Sequence, residues 1–253
     1  MQSNEDVLYV RLFDILDKAE EYDEDLVLEK MGDIPKSQFV NIKRHLYTQV
    51  LKSLRLIFEN IESIKVREQI DFSHILYSKG LYLQAFKLLE RVKEMLPEGG
   101  HDLLRLEIIE FQKFIEERHI TRSRKKSGKV QTLLIESENQ EARVSNLILL
   151  SNLKIKIHGW YIETGHVRDE KDHFQLREYF ESELRKVRTA NLSVTEEIYL
   201  QQCYMWYYYI MLDFEKCHHH AELWVKAFDE NPSHMREDPV LYMRGLSYEL
   251  TSL

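Results

Sequence analysis

Residues that break helices are scarce in this chain: its 253 residues include only eight glycines and four prolines. Average usage of the two together is about 12%, and this chain has less than half that share. A β-sandwich needs turn signals every ~8–12 residues. A phosphate-cradling loop needs clustered glycines. Neither requirement is met. Hydrophobic residues make up 43% of the chain and charged residues 31%, enough for a core and a solvated surface. The expected class is therefore all-α.

The formal net charge is −8. An acidic chain repels nucleic acid overall, so such binding requires a local basic patch. The two cysteines, Cys203 and Cys217, match no metal spacing and cannot form a disulfide framework. Free thiols fit a reducing cytoplasm, and a cytoplasmic location is expected. The first residues, Met1 to Asp6, are polar and acidic, unlike a signal peptide. Apolar runs such as Leu147 to Leu150 fall far short of the ~20 residues of a membrane span.

Periodicity predicts a helix over 3–22, capped by Ser3 with Asp6 three residues on. Its apolar face combines Val7, Val10, Phe13 and Leu16, broadened by Leu8, Leu12 and Ile15. A short acidic helix over 24–31 is stopped by Gly32 and Pro35. From Ser37 onward, Phe39, Ile42, Leu46, Val50, Leu54, Ile57 and Ile61 form one stripe at steps of three and four.

Residues 73–97 read as a helix, a tight turn and a second helix. Small Ser73 and Ala85 allow two antiparallel helices to approach. Gly80 permits a turn with positive φ. Leu89 and Val92 face back onto the first helix, and Pro97 ends the second. Gly80, Tyr82, Ala85, Leu89, Val92 and Pro97 fall at the spacing of the tetratricopeptide (TPR) repeat, which this segment resembles. Gln69 stands where that family usually has Trp. The resemblance implies a right-handed α-solenoid of antiparallel hairpins, continuous over 62–253, with 1–61 as an N-terminal helical cap.

Degraded hairpins extend the pattern. One pairs 154–163, with Gly159 as its small residue and Gly165 after it, with 169–187, carrying Phe174, Leu176, Phe180 and Leu184. Another opens at a capping box, Ser193 to Glu196. It runs to about Leu212, turns at Asp213 to Cys217, and continues through Ala221, Trp224, Phe228 and Pro232. The last helix begins at Pro239 and carries Gly245 and Tyr248. No second helix follows it. A solenoid cut short there, or self-association through this C-terminal helix by Leu246, Leu250 and Leu253, is expected. The basic segment 118–129 reads as a loop or frayed helix end between hairpins.

No catalytic constellation stands out, and neither an enzymatic role nor a cofactor is expected. Gly165, His166, Val167, Arg168 and Asp169 only outline a His-Arg-Asp loop, interrupted by Val167. Cys217, His218, His219 and His220 are consecutive, so a helix points them ~100° apart and they cannot converge on one metal. They read as solvated histidines, with His218 and Glu222 on one face. The aromatics are a stronger lead. Tyr204, Trp206, Tyr207, Tyr208 and Tyr209 surround one helix, which must therefore meet neighbours on more than one side. The TPR resemblance places a concave peptide-binding groove along the first helix of each hairpin. Its groove positions here are Arg67, His74 and Tyr77; Lys156, Trp160 and Glu163; and Gln202, Trp206 and Tyr209. The Asn of the family's carboxylate clamp is missing. The expected function is a non-enzymatic scaffold binding a protein or peptide. The alternative is a nucleic-acid-linked regulator using 25–45, with Lys36, Lys43 and Arg44, and the basic loop 118–129.

Overall fold

A computed structural model of the chain describes residues 4–96, 100–119 and 128–252, apart from the side chains of residues 4–7. The expected Ser3 cap, the closing Pro97, Leu253 and most of the basic segment lie outside the described residues. Helix covers 82% of the described residues, and no strand occurs among them. The all-α expectation holds. The chain forms two compact units, Met1–Glu68 and Gln69–Leu253.

In the first unit, α1 (Asn4–Asp17), α2 (Glu24–Met31) and α3 (Lys36–Ile57) enclose Leu12, Val27, Met31, Phe39, Ile42 and Leu46. Helix α1 stops five residues earlier than expected. Glu20, Glu21 and Asp23 would place negative charge at a helix C-terminus, where the dipole disfavours it. Asp23 instead caps α2, accepting from the amides of Asp25 at 3.0 Å and Leu26 at 3.2 Å. The buried face of α1 is centred on Leu12, while Val10 and Phe13 remain exposed. The α3 stripe is buried only through its first half. From Leu51 onward its apolar residues face solvent.

The second unit opens with the hairpin of α4 (Glu62–Ser78) and α5 (Tyr82–Met95); the division between units falls within α4. Gly80 adopts φ +78, and the Leu81 amide donates to Leu76 O at 3.0 Å, closing the turn. Ser73, Ala85 and Leu89 have no exposed surface. Helix α6 (Asp102–His119) packs on α5.

Helix α7 (Lys129–Thr164) is continuous over 36 residues, so the expected short helix over 154–163 is only its end. Its first part packs on α6, where Gln140 Nε2 donates to Asp102 Oδ1 at 2.7 Å. Its last part buries Leu150, Leu153 and Ile157. Polar residues at buried positions, Ser137, Gln140 and Asn146, obscured this helix in the hydrophobic pattern. Gly159 does not serve a close approach: a Cβ there would meet nothing within 4 Å.

Helices α8 (Glu170–Leu184), α9 (Val194–Ile210) and α10 (Phe214–Asp229) follow, then the short α11 (Pro232–Glu237) and α12 (Pro239–Thr251). Leu176 and Phe180 anchor α8, while Phe174 is exposed. The capping box at Ser193 and Glu196 is present. Asn146 locks the start of α9 to α7. Its amide donates to Arg188 O at 2.7 Å and Glu196 Oε1 at 2.9 Å, and its Oδ1 accepts from the Arg188 amide at 2.8 Å. Helix α9 packs on α7 through Leu200, Cys203, Tyr207 and Ile210, and on α10 through Ile198 and Met205. Gly245 brings α12 onto α10. A Cβ there would lie 3.2 Å from Val225 and 3.3 Å from Trp224.

Candidate functional site

The nine sequence-predicted groove residues differ in exposure and in the neighbours they meet. In α4, Arg67 is exposed. His74 stacks on Phe111 of α6 at 4.0 Å, and Tyr77 Oη lies 2.8 Å from His119 Nε2. Helix α6 thus lies against this face of α4. In α7, Lys156 and Glu163 are exposed, with the Lys156 ammonium 5.6 Å from the centre of the Tyr179 ring. Trp160 is half-buried against the α7–α8–α9 core. In α9, Gln202 is buried on the face that carries Ile198 and Met205, so it offers no side chain to a ligand. Trp206 and Tyr209 are half-buried.

Trp206 is the centre of an aromatic surface built from three helices. Its ring lies 4.5 Å from His158 and 5.6 Å from Tyr161 on α7, and 5.5 Å from Tyr248 on α12. Tyr209 meets Tyr161 at 5.3 Å and Trp206 edge-on at 5.7 Å. His166, just past α7, places Nδ1 3.0 Å from Tyr209 O and fixes this corner. Trp160 and Trp206 were expected as groove positions of separate hairpins, and among the described residues no ring contact joins them. The ring that reaches Trp206 is Tyr161, one position on and ~100° around the helix. A continuous helical register through α7 would have revealed the offset.

Two clefts were not anticipated. One, of about 590 Å³, lies between α6 and α7, with Glu110, Lys113 and Glu117 opposite Val130, Leu133 and Leu134. The other, of about 510 Å³, lies among α8, α9 and α10. Its floor holds Phe180 stacked on Tyr207 at 4.1 Å. Arg177–Glu181 and Lys216–Asp213 ion pairs stand at its rim.

The histidine run is not uniformly solvated. His219 is exposed, but His220 is half-buried and stacks on Tyr204 at 4.6 Å and Tyr208 at 5.4 Å. Its Nδ1 lies 2.7 Å from Gln201 Oε1. Burial, reinforced by His219, pushes its pKa down to about 4. His218 pairs with Glu222 at 3.5 Å, and its Nδ1 lies 3.1 Å from Glu249 O. No group of three or more potential metal ligands occurs among the described residues.

Burial pushes the Cys203 thiol up to about 12 and Cys217 to about 11. Both therefore remain protonated near neutral pH, without the thiolate that a nucleophile needs. Burial lowers the pKa of Lys154, whose ammonium lies over the Tyr199 ring at 4.0 Å. In the 25–45 segment, Lys43 is engaged by Glu24 at 2.6 Å. Of the basic segment, Arg118 lies over Phe114 at 4.2 Å and Lys129 pairs with Glu90 at 3.0 Å; residues 120–127 lie outside the described residues. Among the described residues, no helix is long and apolar enough to cross a membrane. Comparison with protein families, curated proteins and solved structures finds no match.

Proposed function

We propose that this protein is a non-enzymatic, cytoplasmic scaffold that binds a protein or peptide, with its hairpins arranged as a right-handed TPR-like solenoid. The α4–α5 hairpin supports the arrangement through its Gly80 turn and its buried Ser73 and Ala85. The binding assignment rests on one observation: Trp206 is only half-buried while Tyr161, Tyr209 and Tyr248 surround it. Large aromatics that keep an accessible edge within a rigid surround make effective anchors for a partner. Self-association through α12 belongs to the same reading. Val240, Met243 and Leu250 are exposed on that helix.

Affinity capture from the native host tests the assignment, using the wild-type chain and Trp206→Ala with matched helix content. A specific protein retained by the wild type and lost by the variant supports it. Equal capture by both, or none by either, overturns it.

A further inference from the structure

We propose that the cleft between α1 and α3 is a binding site for a small ligand carrying two or more linked phosphate groups, held by Arg44 and Lys52. The cleft encloses about 380 Å³, within the ~300–1,000 Å³ usual for small-molecule sites. It lies wholly within the first unit. Asn41, His45, Thr48 and Lys52 follow one another at steps of four, three and four, so one face of α3 lines it. Tyr9 of α1 completes the lining, its ring edge-on to His45 at 4.7 Å. Gln49 Nε2 lies 3.4 Å from His45 Nε2 and steadies that ring. Thr48 Oγ1 donates to Arg44 O at 2.9 Å, so its proton is already engaged. The donors left for a ligand are the Arg44 guanidinium, the Lys52 ammonium and the amides of Gln38 and Asn41.

The charge of the lining indicates the ligand. Arg44 and Lys52 are exposed, and neither side chain has an ion-pair or hydrogen-bond partner among the described residues. No carboxylate lines the cleft among the described side chains, although the chain carries a net charge of −8. The other two clefts differ: Glu110 and Glu117 line the one at α6–α7, and Glu181 and Asp213 the one among α8, α9 and α10. Lys43 gives the local contrast. It points ~100° away around α3 and is engaged by Glu24 at 2.6 Å. An anion entering the cleft therefore meets two cations without displacing a carboxylate. The planar fork of Arg44 matches phosphate oxygens, and Lys52 adds a point charge. Eight residues of helix set the two positions ~12 Å apart along the axis, so linked phosphates span them better than a single one. A nucleic-acid strand suits the site less, because Asp23, Glu24, Asp25 and Glu29 are exposed in the same unit and repel a polyanion. This site is independent of the scaffold reading.

Calorimetric titration of the full chain with inorganic tripolyphosphate at fixed ionic strength tests the proposal. Saturable binding of one tripolyphosphate per chain is expected. Arg44→Gln and Lys52→Gln should each weaken it about tenfold, as expected for losing a charge-assisted hydrogen bond. Both residues are exposed, so helix content should not change. Lys43→Gln, outside the cleft, should bind as the wild type does. Absence of saturable binding up to millimolar tripolyphosphate overturns the proposal. So does binding indifferent to Arg44→Gln and Lys52→Gln, which would place the anion elsewhere. A loss in Lys43→Gln as large as in Arg44→Gln would reduce the effect to overall charge and would refute the site. Citrate bound as tightly as tripolyphosphate would refute the choice of phosphate. Random single-stranded RNA bound more tightly than tripolyphosphate, and released by Arg44→Gln, would refute the small ligand.

Discussion

Helix α9 and the end of α3 are both apolar on more than one side, yet they differ in what surrounds them. Helix α9 lies between α7 and α10, so Ile198, Cys203, Met205 and Ile210 are each almost wholly buried. Past Val50, α3 has no such neighbour among the described residues, and every residue from 51 to 62 is exposed. Composition alone makes the two look alike. The difference shows that an apolar helix reports the number of neighbours it needs, and among the described residues none covers the end of α3.

The sharpest test contrasts Ile210 with Ile57. Ile210 has no exposed surface, whereas Ile57 exposes 69% of its own. Ile210→Ala removes a buried side chain from a packed site and should destabilise the chain by about 2–5 kcal/mol. Ile57→Ala should change monomer stability by no more than ~0.5 kcal/mol, as expected for an exposed site. Denaturant unfolding at a concentration where the chain is monomeric measures both. Similar losses at the two positions would break the comparison.

The same contrast explains how much could be read from sequence. Helix α2, the Gly80 turn, the Ser193 capping box and the Gly245 contact were legible because each depends on local chemistry or one small residue. The need for neighbours on two sides of α9 was also legible, from its ring of tyrosines. The length of α7 was not, because Ser137, Gln140 and Asn146 are buried polar residues whose partners lie on other helices. Nor was the pairing of Trp206 with Tyr161, which depends on a helical register carried through all of α7. The exposed half of the α3 stripe was invisible for the opposite reason: periodicity marks what could be buried and does not supply what buries it.

Asn146 and Asn60 extend the comparison from apolar to polar side chains. Asn146 is buried, and its amide joins α7 to the Arg188 backbone and to the buried Glu196 carboxylate. Asn146→Ala strands these groups and should cost about 1–3 kcal/mol. Asn60 lies in the exposed segment after α3, and Asn60→Ala should cost no more than ~0.5 kcal/mol. Thermal melts of both variants measure the difference. A melting temperature for Asn146→Ala equal to that of the wild type would show that Asn146 does not hold the start of α9.

The smallest expected effect is a pH dependence centred on His220, which stacks on α9 through Tyr204 and Tyr208. Burial holds its pKa at about 4, below the ordinary value of 6.5. Between those values the unfolded chain binds the proton more readily than the folded one. This contribution to stability is therefore fully present above about pH 6.5 and declines as pH falls toward about 4. The ring is only half-buried, so solvent screening keeps the effect modest. Glu181 and Asp213 are held low by Arg177 and Lys216, and stability linked to them declines only as pH falls below the ordinary carboxylate range. The interval from about pH 6.5 to about pH 5 therefore separates the His220 contribution from those two carboxylates. Melting temperature should fall across that interval in the wild type and fall less in His220→Gln. His219→Gln, at the exposed neighbour, should keep most of the slope. An unchanged slope in His220→Gln would mean that the stacked ring accepts a proton in the folded chain as readily as in water, and that α9 is less enclosed on its α10 side than its packing indicates.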